Sequence, residues 1–197
     1  MGGFRDCIVV FLDLIDIKKW ASKRDPKASS LMGSFHETVR REMAQGLKAI
    51  HHAYVWNDSM ILLAYIDGRP DTDKKVLRAA DNLKRIVDIS TPSYAIAVKG
   101  QAFPSQVDSH DSRVTVIKAS SWAMANCFQI EAAAKKIKRR LDWYIDSRIA
   151  KNVSAAKSPR WVSVDLLPKG KSRRVYLHSG YLWNDAEVDL AEVTEKK

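Results

Sequence analysis

Residues 8–20 read IVVFLDLIDIKKW. Ile8 to Leu12 is an apolar run too short for a globular helix and rich in β-branched and aromatic residues, which is the pattern of a strand buried on both faces. Asp13 stands where such a strand leaves its sheet, and Asp16, Lys18 and Lys19 follow closely. A carboxylate at that place is costly to desolvate unless something pairs or uses it. It is either a cap for the following helix or part of a site.

Residues 53–66, AYVWNDSMILLAYI, carry a second signal of the same kind. Two apolar runs flank Asn57-Asp58-Ser59, the composition of a β-hairpin with a tight polar tip. Two central strands that each deliver an Asp to one sheet end form a two-carboxylate site for Mg²⁺ or Mn²⁺, hard cations that take oxygen ligands and leave room for phosphate. The pairing of Asp13 with Asp58 is therefore an expectation about tertiary structure.

Between these stretches, Leu31, Phe35, Val39, Met43, Leu47 and Ile50 recur at helical spacing, with charged residues between them. This predicts a long amphipathic helix capped at Ser29 or Ser30 and closed by His51-His52. Adjacent histidines cannot share a helical face, so they read as helix-terminal or loop residues and not as a metal pair. Val76, Leu77, Ala80, Leu83, Ile86 and Val87 predict a second helix, stopped by Thr91-Pro92. Residues 94–103 read as a strand in which Gly100 marks a bulge or a close approach. Residues 104–112 are polar and read as a mobile loop, and residues 113–118 as a short strand. Ser120 or Ser121 caps a third helix whose apolar positions include Met124, Cys127, Phe128 and Ile130, running on into a basic segment. Residues 139–149 fit no pattern clearly. Residues 161–166 and 173–178 read as a terminal hairpin around Pro168-Lys169-Gly170.

The chain has 197 residues with 46% hydrophobic and 28% charged content, enough for one domain, expected over residues 1–184, with a core that needs no staples. Residues 185–197, acidic before two final lysines, are expected to fray as a flexible tail. No apolar run approaches the ~20 residues of a membrane span, and the N-terminus lacks the layout of a signal peptide, so a cytoplasmic protein without a membrane partner is expected. Cys7 and Cys127 show no ligand spacing and read as reduced core residues. The net charge of +10 attracts polyanions, with basic runs at residues 135–140 and 169–174 that read as solvated helix faces or loops. Nucleic acid is the weaker inference, because Tyr54, Trp56 and Tyr65 lie among Val, Ile and Leu and no RNP-like motif accompanies them.

The element order, β-α-β-β-α-β followed by β, α and a hairpin, predicts an α+β, ferredoxin-like arrangement: one mainly antiparallel sheet with helices packed on one face. At this point the residues resemble a family. FLDLIDIKKW is similar to the first strand and turn of class III nucleotide cyclases, and WNDS to their hairpin tip with its second Asp. SYAIAVKG and SSWAMANCFQIEAA match the later strand and helix in pattern, so the likeness runs from Ile8 to about Ile149.

The resemblance implies that Asp13 and Asp58 hold two divalent ions, Mn²⁺ or Mg²⁺, with the Leu14 carbonyl helping. It implies that the amides of Leu14, Ile15, Asp16, Ile17 and Lys18 cradle the phosphates. It also implies a homodimer with its sites at the subunit junction. Several positions depart from the family. Asp16 and Ile17 replace a Gly-Phe pair. The residue that reads the base in purine cyclases, a Lys, is here Tyr54, and a second base-reading Asp aligns with Lys118. The Asn and Arg that stabilise the transition state align with Ala125 and Gln129; Asn126 is one residue off, and one helical residue turns a side chain by about 100°. Lys18, Lys99, Lys118 and Arg41 are candidates to supply the missing cation.

Intact metal carboxylates beside a replaced purine pocket resemble the pyrimidine cyclases of bacterial Pycsar anti-phage systems. That likeness implies UTP as substrate and cyclic UMP as the signal to a separate cyclic-nucleotide effector. A cytidylate cyclase making cyclic CMP, and a catalytically silent module that binds a nucleotide or a protein partner, remain the alternatives.

Overall fold

The computed structural model describes residues 3–17, 19, 26–45, 47–69, 71–108, 115–135, 142–150, 162–165, 174–178 and 181–183. Strand β1 (Arg5–Leu14) is buried from Cys7 to its end. Successive side chains of a strand point to opposite faces, so this continuous run must serve two cores at once. Ile8, Val10, Leu12 and Leu14 enter one, and Cys7, Val9 and Phe11 enter the other.

The first core is closed by helices α1 (Pro26–Gln45) and α2 (Thr72–Asp88). Phe35 and Val39 from α1 meet Val76, Leu77, Ala80, Leu83 and Val87 from α2 across the sheet residues. Helix α1 opens at Pro26, a residue pre-set for a first helical position, and not at Ser29 or Ser30. It also ends earlier than its apolar spacing predicts, because the chain is drawn into the sheet. The His51 amide bonds the Leu63 carbonyl at 2.9 Å, while Leu47 and Ile50 still pack on the core outside the helix. His51 and His52 thus enter an edge strand, and His51 Nδ1 accepts a hydrogen bond from the Tyr65 amide.

Strands β2 (His52–Trp56) and β3 (Ser59–Tyr65) form the expected hairpin, with Asn57 at φ 45° in its turn. β3 pairs with β1, and β1 pairs with β4 (Ser93–Asp108). β4 is longer than its sequence suggests. Residues 104–108, expected in a loop, continue the strand and pair with β5 (Thr115–Ser121); residues 109–112 of that expected loop lie outside the described residues.

Helix α3 (Trp122–Ala134) is capped by Ser121, whose hydroxyl accepts from the amides of Ala123 and Met124. It corrects the expected layering. Ala123, Cys127 and Ile130 pack on the second core, so helices cover both faces of the sheet and not one. Phe128, expected as a core residue of this helix, is 42% exposed. Gly100 is a close approach: a Cβ there would lie 2.9 Å from the Ala123 Cβ, so only glycine lets α3 sit against β4.

The stretch that fitted no pattern forms β6 (Trp143–Asp146), parallel to β4, and the single turn α4 (Ser147–Ala150). Strands β7 (Val162–Asp165) and β8 (Arg174–His178) pair with each other, and β8 pairs with β6. The expected turn at Pro168-Lys169-Gly170 and the tail at residues 185–197 lie outside the described residues. The described strands form one mixed, mainly antiparallel sheet ordered β2-β3-β1-β4-β6-β8-β7, with β5 on β4. Cys7 and Cys127 are buried free thiols, and burial pushes the Cys7 thiol up to about 11. No helix among the described residues is long and apolar enough to cross a membrane.

Candidate active site

Asp13 lies opposite Ser59 of β3 on one side and Tyr94 of β4 on the other. It faces the α3 side of the sheet, in step with Val9 and Phe11. The register alone sets its partners: the Ser59 hydroxyl donates to Asp13 Oδ1 at 2.6 Å, and the Tyr94 hydroxyl donates to Oδ2 at 2.8 Å. Asp58 follows in the hairpin turn, and its carbonyl accepts from the Leu14 amide at 2.9 Å. From α1, His36 Nε2 donates to the Asn57 carbonyl at 2.7 Å and ties down the same turn. The two carboxylates expected to converge do share one sheet end.

Their electrostatics are unbalanced. Asp13 is 8% exposed, and burial raises its pKa above the ordinary carboxylate value. Its two hydroxyl donors oppose that shift, while the neighbouring Asp58 and Glu131 carboxylates add to it. Burial and the Asp13 charge also push the Tyr94 phenol far up, so Tyr94 stays a proton donor at any working pH.

Beyond β1 the backbone turns sharply. The Ile15 amide bonds the Pro92 carbonyl, and the Lys19 amide bonds the Asp16 carbonyl. Asp16 has φ 65°, the left-handed region that glycine enters without strain and that Asp tolerates better than most residues. This explains how an Asp stands where the cyclase resemblance expects Gly. Ile17 is buried in the first core, where the resemblance expects Phe.

The amides expected to cradle phosphates are partly committed. Those of Leu14 and Ile15 bond the carbonyls of Asp58 and Pro92. Lys18 lies outside the described residues.

A cavity of about 120 Å³ opens on this end, lined by Asp13, Asp16, Asp58, Tyr94, Lys19 and Lys135 among others. It has the scale of phosphate groups and ions, not of a whole nucleotide. Glu131 on α3 joins it through the Tyr94 hydroxyl at 3.4 Å, and Lys135 pairs with Glu131 one turn on. Sequence reasoning missed Ser59, Tyr94, Glu131 and Lys135 as site residues. Ser59 sat inside the quoted WNDS, but the other three lie on elements that only the register brings together.

Of the residues expected to read the base, Tyr54 and Gln129 are not among the described residues that line this cavity. Tyr54 packs at the edge of the second core from β2, and its buried hydroxyl has no partner among the described residues. Gln129 is exposed on α3, and the Lys118 backbone pairs with Ser105, far along the β4–β5 arm. Among the candidate cations, Lys99, opposite Ile8 in the middle of β4, pairs with Asp73 at 3.1 Å, and Arg41 pairs with Glu42 on α1. Lys19 and Lys135 are the cations among the described residues that line the cavity beside Asp13 and Tyr94.

As a metal site, Asp13 and Asp58 are a donor set of two carboxylates. No group of three or more His, Cys, Asp or Glu among the described residues is spaced to hold a metal. The fit is that of hard-cation sites that take few protein ligands and complete their shell from phosphate oxygens and water. A carboxylate has about four lone-pair sites, so the two hydroxyl bonds to Asp13 leave acceptor capacity.

No protein-family model and no curated protein matches the sequence. Solved structures match its fold. The non-canonical dimeric guanylyl cyclase domain of the RhoGC fusion protein from the aquatic fungus Blastocladiella emersonii superposes with a TM-score of 0.67 at 10% identity, over 91% of this chain and 99% of that one. The adenylyl cyclase CyaB from P. aeruginosa gives 0.66 at 7% identity, over 94% and 98%. The fold is the class III cyclase catalytic domain. The guanylate cyclase domain of RhGC from Catenaria anguillulae, solved in complex with GTP, shares it with a TM-score of 0.60 at 11% identity, over 90% and 99%. Within that cyclase fold the chain keeps an Asp at the end of β1 and another in the β2–β3 turn.

Proposed function

We propose that the chain is a pyrimidine nucleotide cyclase that converts UTP to 3′,5′-cyclic UMP and pyrophosphate. The observation that carries this reading is the convergence of Asp13 and Asp58 at one sheet end of a class III cyclase fold, beside a cavity of phosphate scale. In the reaction the substrate 3′-oxygen bonds to the α-phosphorus, the bond from that phosphorus to the β-bridging oxygen breaks, pyrophosphate leaves, and the 3′-hydroxyl proton passes to solvent. Asp13 and Asp58 would hold two Mn²⁺ or Mg²⁺ ions, which would supply hydroxyl activation and charge neutralisation at the phosphates. Ser59 and Tyr94 hold the Asp13 carboxylate in one orientation. Lys135, kept in place by Glu131, brings a cation to the phosphates in the absence of the family's Arg.

The preference for a pyrimidine rests on Tyr54 and Lys118 standing where purine cyclases carry Lys and Asp. CTP is the nearest alternative substrate. A homodimer with its sites at the subunit junction, as the family resemblance implies, belongs to this reading. Cyclic UMP would then act in the cytoplasm on a separate effector, in keeping with an anti-phage alarm.

One observation favours a second reading, a catalytically silent nucleotide-binding module: Ala125 and Gln129 occupy the places of the transition-state Asn and Arg. Incubation with each of the four ribonucleoside triphosphates and Mn²⁺, with products identified by mass, decides between them. A cyclic pyrimidine monophosphate that disappears in Asp58→Ala is the expected result. Triphosphate binding without pyrophosphate release at any metal would establish the silent module.

A further inference from the structure

The two carboxylates at the sheet end are held in different ways. Both oxygens of Asp13 accept short bonds from hydroxyls. Among the described residues the Asp58 carboxylate meets a single hydrogen-bond donor, the Ser59 hydroxyl at 3.5 Å. A hydroxyl carries one proton, and Ser59 gives its own to Asp13 at 2.6 Å. The direction of Asp58 is therefore set by its backbone and not by side-chain partners.

That backbone sits at the tip of a lopsided hairpin. β3 is buried along its whole length, whereas β2 is an edge strand whose last residues, Val55 and Trp56, are exposed. Packing thus holds the turn from the β3 side, and hydrogen bonds must do the rest. Two of them fix the peptide groups on either side of the Asp58 Cα. The Leu14 amide of β1 donates to the Asp58 carbonyl at 2.9 Å, and His36 Nε2 of α1 donates to the Asn57 carbonyl at 2.7 Å. Peptide groups are planar, so anchoring both leaves Asp58 between two fixed planes. The first anchor belongs to the backbone, while the second is a side chain that can be removed alone. Helix α1 is set to deliver it. Phe35 and Val39, buried in the first core, fix the rotation of the helix, and His36, about 100° further round, is exposed and meets the hairpin tip. A carbonyl only accepts, so His36 Nε2 carries the ring proton.

We propose that His36 is a positioning residue for Asp58: by holding the Asn57 carbonyl it aims the Asp58 carboxylate at the place where a divalent cation is shared with Asp13. The proposal rests on the reading of Asp13 and Asp58 as the residues that hold the ions, and it adds to them a residue that touches neither ion nor substrate. In the sequence His36 reads as one more polar residue of an amphipathic helix, because nothing local connects it to a turn 21 residues away.

The test measures the Mn²⁺ affinity of the full chain from the electron paramagnetic resonance signal of the free ion, with the melting temperature in EDTA alongside. His36→Leu keeps the bulk and removes the donor. It is expected to weaken Mn²⁺ binding by about tenfold, the scale that follows loss of a group that orients a metal ligand. His36→Gln places an amide nitrogen about as far from Cβ as Nε2 and is expected to bind Mn²⁺ within about twofold of the wild type. Neither variant is expected to lower the melting temperature by more than about 3 °C, since the ring is exposed. Less than about threefold weakening in His36→Leu, or a His36→Gln as weak as His36→Leu, overturns the proposal. A larger drop in melting temperature overturns it in favour of a purely structural contact. Failure of the reading beneath it looks different: a wild type that binds no Mn²⁺, or an Asp58→Asn that binds it equally well, removes the carboxylate pair as a metal site and His36 with it.

Discussion

Two buried aspartates, Asp13 at the end of β1 and Asp81 in the middle of α2, face the same physical problem and meet it differently. Burial raises the pKa of both. Asp81 is fully enclosed, and its oxygens accept from Trp143 Nε1 at 3.1 Å, the Leu182 amide at 2.9 Å, the Trp183 amide at 3.3 Å and Arg85 Nε at 3.3 Å. Every one of those donors has a fixed N–H, and together they pin residues 181–183 to the helix. Asp13 has two hydroxyls instead, which rotate and can accept as well as donate, and the neighbouring carboxylates Asp58 and Glu131 raise its pKa further. The fold completes the charge of Asp81 from within. It leaves the charge of Asp13 to be completed from outside, which is what a cation-binding site requires.

The largest effect that sharpens this contrast is on stability at Asp81. Asp81→Asn turns an amide N–H₂ toward donors that cannot reverse, so it should cost about 3 kcal/mol and lower the melting temperature by about 6–12 °C. A loss under 1 kcal/mol in calorimetry would remove the distinction between the two sites.

Asp13→Asn should behave in the opposite sense, with a pH signature. A carboxylate whose folded-state pKa is raised costs the folded protein nothing below its ordinary value and destabilises it increasingly as pH rises through the raised one. The variant should therefore match the wild type near pH 4 and melt higher at pH 7, by about 1 kcal/mol, in buffers free of divalent ions. Its cyclase turnover should fall by about a hundredfold or more. In the wild type, Mn²⁺ should raise the melting temperature at pH 7 and leave that of Asp13→Asn unchanged. A variant less stable than wild type at pH 7 would mean that Asp13, like Asp81, is structural.

The smallest expected effect is at Tyr94. Tyr94→Phe removes one of two adaptable donors from Asp13 and should cost about 1 kcal/mol by thermal unfolding, with turnover down about fivefold. A cost near that of Asp81→Asn would show a closed network at Asp13 after all.

The legibility of the two sites from sequence follows the same division. Asp13 and Asp58 could be read because each ends an apolar run, where a charge is conspicuous. Asp81 lies among Ala80, Asn82 and Leu83 in an amphipathic helix and reads as one polar residue among several, although its carboxylate is wholly buried. The hairpin, the second helix, the Ser121 cap and the close approach at Gly100 were legible because their signals are local. The end of α1 was not, since Leu47 and Ile50 keep helical spacing while the sheet takes the backbone of His51. The placement of α3 on the opposite face was not legible either, because amphipathic spacing shows that a helix has an apolar side without naming the face of the sheet it covers.

By itself the sequence determined the buried central strand, the hairpin and two carboxylates set at strand ends, because apolar periodicity and turn chemistry act over a few residues. Tertiary structure alone decided what surrounds those carboxylates. Ser59 and Tyr94 reach Asp13 across chain separations of 46 and 81 residues, and Glu131 reaches Tyr94 across 37, through strand register and the seating of α3.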